Sequence, residues 1–181
     1  MKLIFLDIDG VLATQATRYN YLDVECVARL DRVLEATGAQ IILSSTWRLG
    51  LDVSECQAML RRGHSRDMDY DVPDNLLYVD REKYEASAKK QNNVLLASRL
   101  IDKTAWMRYQ DASPVDRGME IDAKVKQYNP DVFVILDDDL DMEPHMDRLI
   151  KTDPYRGFGD ADAKKTIQML GVISETIKES G

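Results

Sequence analysis

The sequence predicts an α/β fold built on a mainly parallel sheet, and two observations predict it. Short, continuous apolar runs (Leu3-Ile4-Phe5-Leu6, Ile41-Ile42-Leu43 and Val132-Phe133-Val134-Ile135-Leu136) alternate with longer amphipathic stretches. A run that is apolar at every position suits a strand buried on both faces, as in a parallel sheet covered by crossover helices. Each run also stops abruptly at acids or hydroxyls: Asp7-Ile8-Asp9-Gly10, Ser44-Ser45-Thr46 and Asp137-Asp138-Asp139. In open parallel sheets a ligand sits beyond the carboxyl ends of the strands. The three polar clusters are therefore expected to converge on one crevice.

The elements follow in chain order. Leu3 to Leu6 forms the first strand. Residues 23–37 read as a helix, with Asp23 placed as N-cap, Val27, Leu30 and Leu34 on one stripe, and Gly38 as the stop. Residues 41–43 form the second strand. Asp52 and Glu55 have the spacing of a capping box before a helix over 53–62, which Gly63 closes. Residues 64–93 are polar and rich in acids, with Pro73 and a short helix expected near 81–91. A strand is expected within 94–104. After a loop with Pro114, a helix over 117–128 ends at Asn129-Pro130. The third clear strand is 132–136. A weaker strand over 148–151 precedes a last helix over 160–178, whose stripe is Ile167, Leu170, Ile173 and Ile177.

A length of 181 residues suits one domain with a modest insertion. With 44% hydrophobic and 31% charged residues, the composition excludes a disordered polyampholyte. No apolar run approaches the ~20 residues of a membrane helix, and the N-terminal run is too short for a signal peptide. The two cysteines, Cys26 and Cys56, make neither a CxxC pair nor a disulfide framework, so a reduced, cytoplasmic protein is expected. The 32 acids against 24 Lys and Arg give a net charge of −8, without the overall basic footprint of a nucleic-acid binder. Six of those acids are Asp7, Asp9, Asp137, Asp138, Asp139 and Asp141. Setting them aside leaves 26 acids against 24 bases. The acidic balance is thus read as the imprint of a cation site, and it says little against a phosphorylated or nucleic-acid substrate.

The strand ends carry the chemistry. Alternate residues of a strand share a face, so Asp7 and Asp9 can both face the crevice while Ile8 points to the core. Gly10 lets the chain turn sharply. Two close carboxylates repel unless one keeps a proton or a cation intervenes. A divalent metal beside Asp7 would keep it ionised and nucleophilic, and leave Asp9 as acid and base. The adjacent Asp137 and Asp138 are the complementary oxygen ligands, and Mg²⁺ suits a site of few carboxylates plus a phosphate. Ser44 or Ser45 can offer a hydroxyl to a phosphoryl oxygen. Arg48 presents a fork suited to phosphate. Arg117 opens a helix, an unfavourable place for a cation unless an anion lies there, and Lys124 is the alternative cation. The set meets the needs of phosphoryl transfer: nucleophile, acid/base, metal, hydroxyl and cation.

On these motifs the chain resembles the haloacid dehalogenase (HAD) superfamily of aspartyl-phosphate phosphohydrolases. The resemblance rests on the strand with Asp7-Ile8-Asp9-Gly10, the strand ending Ile42-Leu43-Ser44, Arg117 at the start of a helix, and the strand ending Asp137-Asp138. Ser44-Ser45-Thr46-Trp47-Arg48 and Arg117-Gly118-Met119-Glu120-Ile121 further resemble the small HAD-like domains of RNA-repair proteins and the phosphatase half of phage polynucleotide kinases.

The resemblance implies a Rossmann-like three-layer α/β/α sandwich and a Mg²⁺-dependent phosphomonoester phosphatase. It implies that Asp7 attacks phosphorus, that Asp9 protonates the leaving oxygen and then activates water, and that Ser44 and Arg117 steady the phosphoryl group. Mg²⁺ would be held by Asp7, the carbonyl of Asp9 and Asp138, with Asp137 close by. The partner would be a phosphorylated small molecule, a nucleic-acid end or a phosphoprotein. Residues 63–95 are read as an insertion in a single domain spanning 1–181, either a closing lid or a solvated loop with the basic edge Arg61-Arg62-Gly63-His64-Ser65-Arg66. The competing readings are a receiver-like phospho-aspartate signalling module and a non-catalytic scaffold of the same fold.

Overall fold

A computed structural model describes residues 1–17, 21–64 and 91–171. Five strands form one parallel sheet in the order β3-β2-β1-β4-β5. They are β1 (Lys2–Leu6), β2 (Gln40–Leu43), β3 (Leu100–Lys103), β4 (Val132–Asp137) and β5 (Leu149–Lys151). The helices are α1 (Val24–Thr37), α2 (Val53–Arg62), α3 (Val94–Arg99), α4 (Arg117–Tyr128) and α5 (Asp160–Gly171). The expected Rossmann-like α/β architecture is the one observed.

The apolar runs become strands because both faces of the sheet are covered. Leu3 and Phe5 of β1 pack with Ile42, Ile135 and Ile121 of α4 on one face. Ile4 and Leu6 pack on the other face with Ile41, Leu43 and residues of α1, α2, α3 and α5. Phe5 is fully buried and meets Phe133 edge-on, with ring centroids 5.6 Å apart. Truncating such a side chain to Ala costs about 3–5 kcal/mol.

The predicted stops are where the chain stops. Asp23 accepts from the N–H groups of Glu25 and Cys26 at the head of α1, and Gly38 closes it with φ +67°. Asp52 accepts from Glu55 N at 2.8 Å while the Glu55 carboxylate accepts from Asp52 N at 2.9 Å, a complete capping box. Asn129 ends α4 in the left-handed region.

Two expectations change. Within 94–104, where only a strand was expected, the chain first forms α3, whose Leu96 and Ala97 are buried, and then β3. Ile167 is not on the inner stripe of α5: it is exposed, and Ala163, Thr166 and Leu170 face inward. The helix near 81–91 and the ends of the last helix and its stripe (Ile173, Ile177) lie outside the described residues, as does most of the expected lid over 63–95. Among the described residues no helix is long and apolar enough to cross a membrane.

The winding sets the site. From β1 the chain moves outward through β2 to β3, then returns to the other side of β1 as β4 and moves on to β5. The order therefore reverses between β1 and β4, where a crevice opens at the carboxyl ends. Backbone bonds carry the ladder right to those ends: Asp7 N to Leu136 O at 2.9 Å, Ser44 N to Leu6 O at 2.9 Å and Thr152 N to Asp137 O at 3.0 Å.

Candidate active site

Asp7 continues the β1 alternation on the face of Leu3 and Phe5, while Ile8 is fully buried in the opposite core. Asp137 ends β4 beside it and is fully buried. Asp138 follows, half-buried. Gly10 makes room for it: φ is +73°, and a Cβ there would lie 2.3 Å from the Asp138 carboxyl carbon. A sharp turn and a close approach both need glycine at this position.

Arg117 is the cation of the site. Its Nη1 donates to Asp137 Oδ2 at 2.6 Å and lies 3.3 Å from Asp7 Oδ1, and its Nη2 lies 3.8 Å from Asp139. The unfavourable place at a helix start is answered first by the protein's own carboxylates. The adjacent Gly118 explains how α4 reaches that place. A Cβ there would lie 2.1 Å from Glu143 O, so only glycine lets the helix start against the 142–143 backbone. Asp141 belongs to this docking: its side chain accepts from Arg117 N at 3.3 Å and its carbonyl from Gly118 N at 2.9 Å.

The carboxylates outnumber their cation. Burial, with the neighbouring Asp137, pushes Asp7 up to about 8, against the pull of Arg117 and a contact from Ser45. Burial also raises Asp137 to about 6, although Arg117 counters it. Asp9 and Asp138 are raised too, chiefly by burial. For Arg117, burial alone would lower the guanidinium, but Asp137 and Asp7 push it up instead. Asp7, Asp137 and Asp138 each offer an oxygen, all within 4.8 Å of one another. An all-oxygen, carboxylate-rich set with raised pKa values is short of positive charge and fits a hard divalent cation such as Mg²⁺.

Asp9 stands apart from that triad. Its Oδ1 accepts from Trp47 Nε1 at 3.0 Å. Ser45 caps the 3₁₀ turn Thr46–Arg48, accepting from Trp47 N at 3.3 Å. Ser44 Oγ is fully buried and has no partner among the described residues, an unspent donor beside Asp7 in the register. A cleft of about 120 Å³ opens beside Arg117, lined by Thr46, Trp106, Val115 and Asp141.

Two predicted phosphate ligands have other duties. The Arg48 fork is spent: Nε donates to Thr104 O at 2.9 Å, Nη1 to Ser44 O and Ser45 O at 2.5 and 2.6 Å, and Nη2 to Ala105 O and Glu120 Oε2 at 3.2 and 2.5 Å. It is a strut that holds the turn after β2 against α4, not a free fork awaiting phosphate. Lys124 is also committed elsewhere. Its ammonium binds the Asp102 carboxylate and Gln127, and stacks over Tyr128. Of the two candidate cations, Arg117 is thus the one beside Asp7.

Sequence reasoning missed Trp47, Gly118 and Glu120 as parts of the site. An Arg-Gly pair at a helix start was visible, but the close approach that needs its glycine was not. Nothing local pairs Trp47 with Asp9 or Arg48 with Glu120.

A family model described as the HAD domain in Swiss Army Knife RNA repair proteins matches residues 3–163. No curated protein and no solved structure was found to match the chain.

Proposed function

The chain belongs to the family of HAD domains found in Swiss Army Knife RNA repair proteins, and we propose that it is a Mg²⁺-dependent phosphomonoester phosphatase acting through Asp7. Family membership supports a HAD-type hydrolase in general. The observation that carries the finer reading is the convergence of Asp7, Asp137 and Asp138 on one point, with Arg117 at their side.

Asp7 attacks phosphorus, the bond to the leaving oxygen breaks, and Asp9 gives that oxygen a proton. The ionised Asp9 then takes a proton from water as the water attacks the aspartyl phosphate, which releases inorganic phosphate and restores Asp7. Arg117 and the Ser44 hydroxyl hold phosphoryl oxygens during both steps. A Mg²⁺ ion held by Asp7, Asp137 and Asp138 would supply the positive charge that keeps Asp7 ionised at neutral pH. The substrate class proposed is a phosphorylated nucleic-acid end or nucleotide, with small phosphoesters and phosphoproteins as the other members of the same chemistry.

The test is a phosphatase screen over nucleotides, sugar phosphates, phosphopeptides and 3′- or 5′-phosphorylated oligonucleotides. Phosphate release is expected for at least one class, lost with EDTA and reduced about 10⁴-fold or more in Asp7→Asn. Sustained turnover by Asp7→Asn would refute the mechanism. A long-lived phosphoprotein without turnover would favour a signalling module instead.

A further inference from the structure

We infer that Trp47 positions Asp9 for proton transfer: its indole N–H fixes one carboxylate oxygen and leaves the other to face the leaving oxygen. This rests on the phosphatase reading above. Asp9 lies three residues past the end of β1, beyond the reach of the sheet's ladder. A carboxylate there has free rotamers unless something holds it, and a group that must meet a leaving oxygen within hydrogen-bond reach gains from being held. Trp47 Nε1 to Asp9 Oδ1, at 3.0 Å, is that hold.

The indole is itself fixed from three sides. Its ring packs against the core formed by α1, α2 and the β1–β2 face. Its backbone N–H donates to Ser45 Oγ. The next residue, Arg48, is buried and tied to Ser44 O, Ser45 O, Thr104 O and Glu120. The turn therefore has little freedom, and whatever its indole touches is placed with the same precision. One turn thus reaches both reacting carboxylates, Ser45 toward Asp7 and Trp47 toward Asp9. The leaving group's proton is delivered from the oxygen the indole does not occupy. An aryl leaving group such as p-nitrophenolate departs readily without that proton, and an alkyl alkoxide does not.

The experiment compares wild type, Trp47→Phe and Trp47→His on p-nitrophenyl phosphate and on an alkyl phosphate such as a ribose phosphate. Trp47→Phe is expected to lower the rate of phosphoryl-enzyme formation, read by acid quench in a single turnover, roughly 10- to 100-fold on the alkyl substrate and less than about 3-fold on the aryl substrate, while the later hydrolysis, which also uses Asp9, slows equally for both. Trp47→His keeps a ring N–H and is expected to restore part of the loss; it carries the same comparison if the Phe variant does not fold. Equal losses in the rate of phosphoryl-enzyme formation on both substrates would assign Trp47 a purely structural role and overturn the inference. A second arm needs no turnover. The chain has two tryptophans, so Trp106→Phe identifies the Trp47 indole resonance, and Asp9→Ala is expected to shift that proton upfield. An unmoved resonance would overturn the inference. Wild type inert on every class of the phosphatase screen above would sink the phosphatase reading instead, and the resonance would then decide whether Trp47 holds Asp9.

Discussion

Two buried charge clusters lie side by side in this molecule, and they are built on opposite terms. In the Arg48–Glu120 pair, both side chains are almost wholly buried. Every nitrogen of the fork has an acceptor, and the other Glu120 oxygen accepts from Met107 N at 2.8 Å. In the second cluster, Arg117 is, among the described residues, the one cation paired with Asp7, Asp137 and Asp139, with Asp138 beside them. The first cluster closes its charge within the chain, as buried ions must if they are only structural. The second leaves negative charge over, at the mouth of the sheet, where a cation and a phosphoryl group would complete it. Complete satisfaction marks a strut, and a charge deficit marks a site.

The comparison breaks most visibly at Arg48. Arg48→Met leaves Glu120 buried without its cation and four carbonyls without their donor. It is expected to destabilise the protein by about 3–5 kcal/mol, with or without Mg²⁺, in chemical denaturation. Arg48→Met with Glu120→Leu removes the uncompensated buried charge and should recover the part of the loss owed to it, leaving the share owed to the four carbonyls and Met107 N. An Arg48→Met variant of full stability that fails only in substrate binding would return Arg48 to the phosphate role.

A smaller effect is expected at Gly10. Gly38 has a similar positive φ but open space around it, so Gly38→Ala carries backbone strain alone, about 1 kcal/mol. Gly10→Ala carries the same strain and also drives Asp138 away. It should cost about 1–2 kcal/mol and weaken Mg²⁺ binding by calorimetry, which Gly38→Ala should leave intact. Equal Mg²⁺ affinity in the two variants would remove Asp138 from the ligand set.

A further effect is in pH. Asp7 sits near 8 and Asp137 near 6 in the folded chain, against about 4 for an unfolded aspartate. The folded state therefore holds protons that the unfolded state has released. Stability from these groups is full below about pH 4 and is lost as pH rises through about 6 and then about 8. In EDTA, stability is therefore expected to fall as pH rises from 5 to 8. Mg²⁺ binds the ionised form, so its gain in Tm should be larger at pH 8 than at pH 5. Asp7→Asn should flatten the slope; a slope unchanged in that variant would place its origin elsewhere.

Much of this was legible in the sequence because it is local. Continuous apolar runs, a capping box at Asp52 and Glu55, and glycines at helix ends act within a few residues, and each does in the fold what its pattern implies. The acids at two strand ends could be assigned to one crevice because parallel topology leaves few other arrangements. What escaped depends on distant partners. Arg48 looks like a phosphate fork until Glu120, 72 residues on, is seen to occupy it. Nothing near Trp47 in the sequence points to Asp9, 38 residues back, which is found at its indole. Ile167 fits an apolar stripe by periodicity, yet of that stripe Leu170 is buried and Ile167 is exposed, with Ala163 and Thr166 buried instead. Pattern gives the elements; the choice among chemically similar side chains belongs to packing.

The nucleophile proposed for this charge-deficient site is Asp7. That role is tested most directly by acid-quenching the enzyme during turnover of a ³²P-labelled phosphomonoester with Mg²⁺ and mapping the label by peptide digestion. A label is expected on the peptide containing Asp7, absent in Asp7→Asn and absent with EDTA. Turnover that leaves no label, or a label that persists in Asp7→Asn, would contradict it.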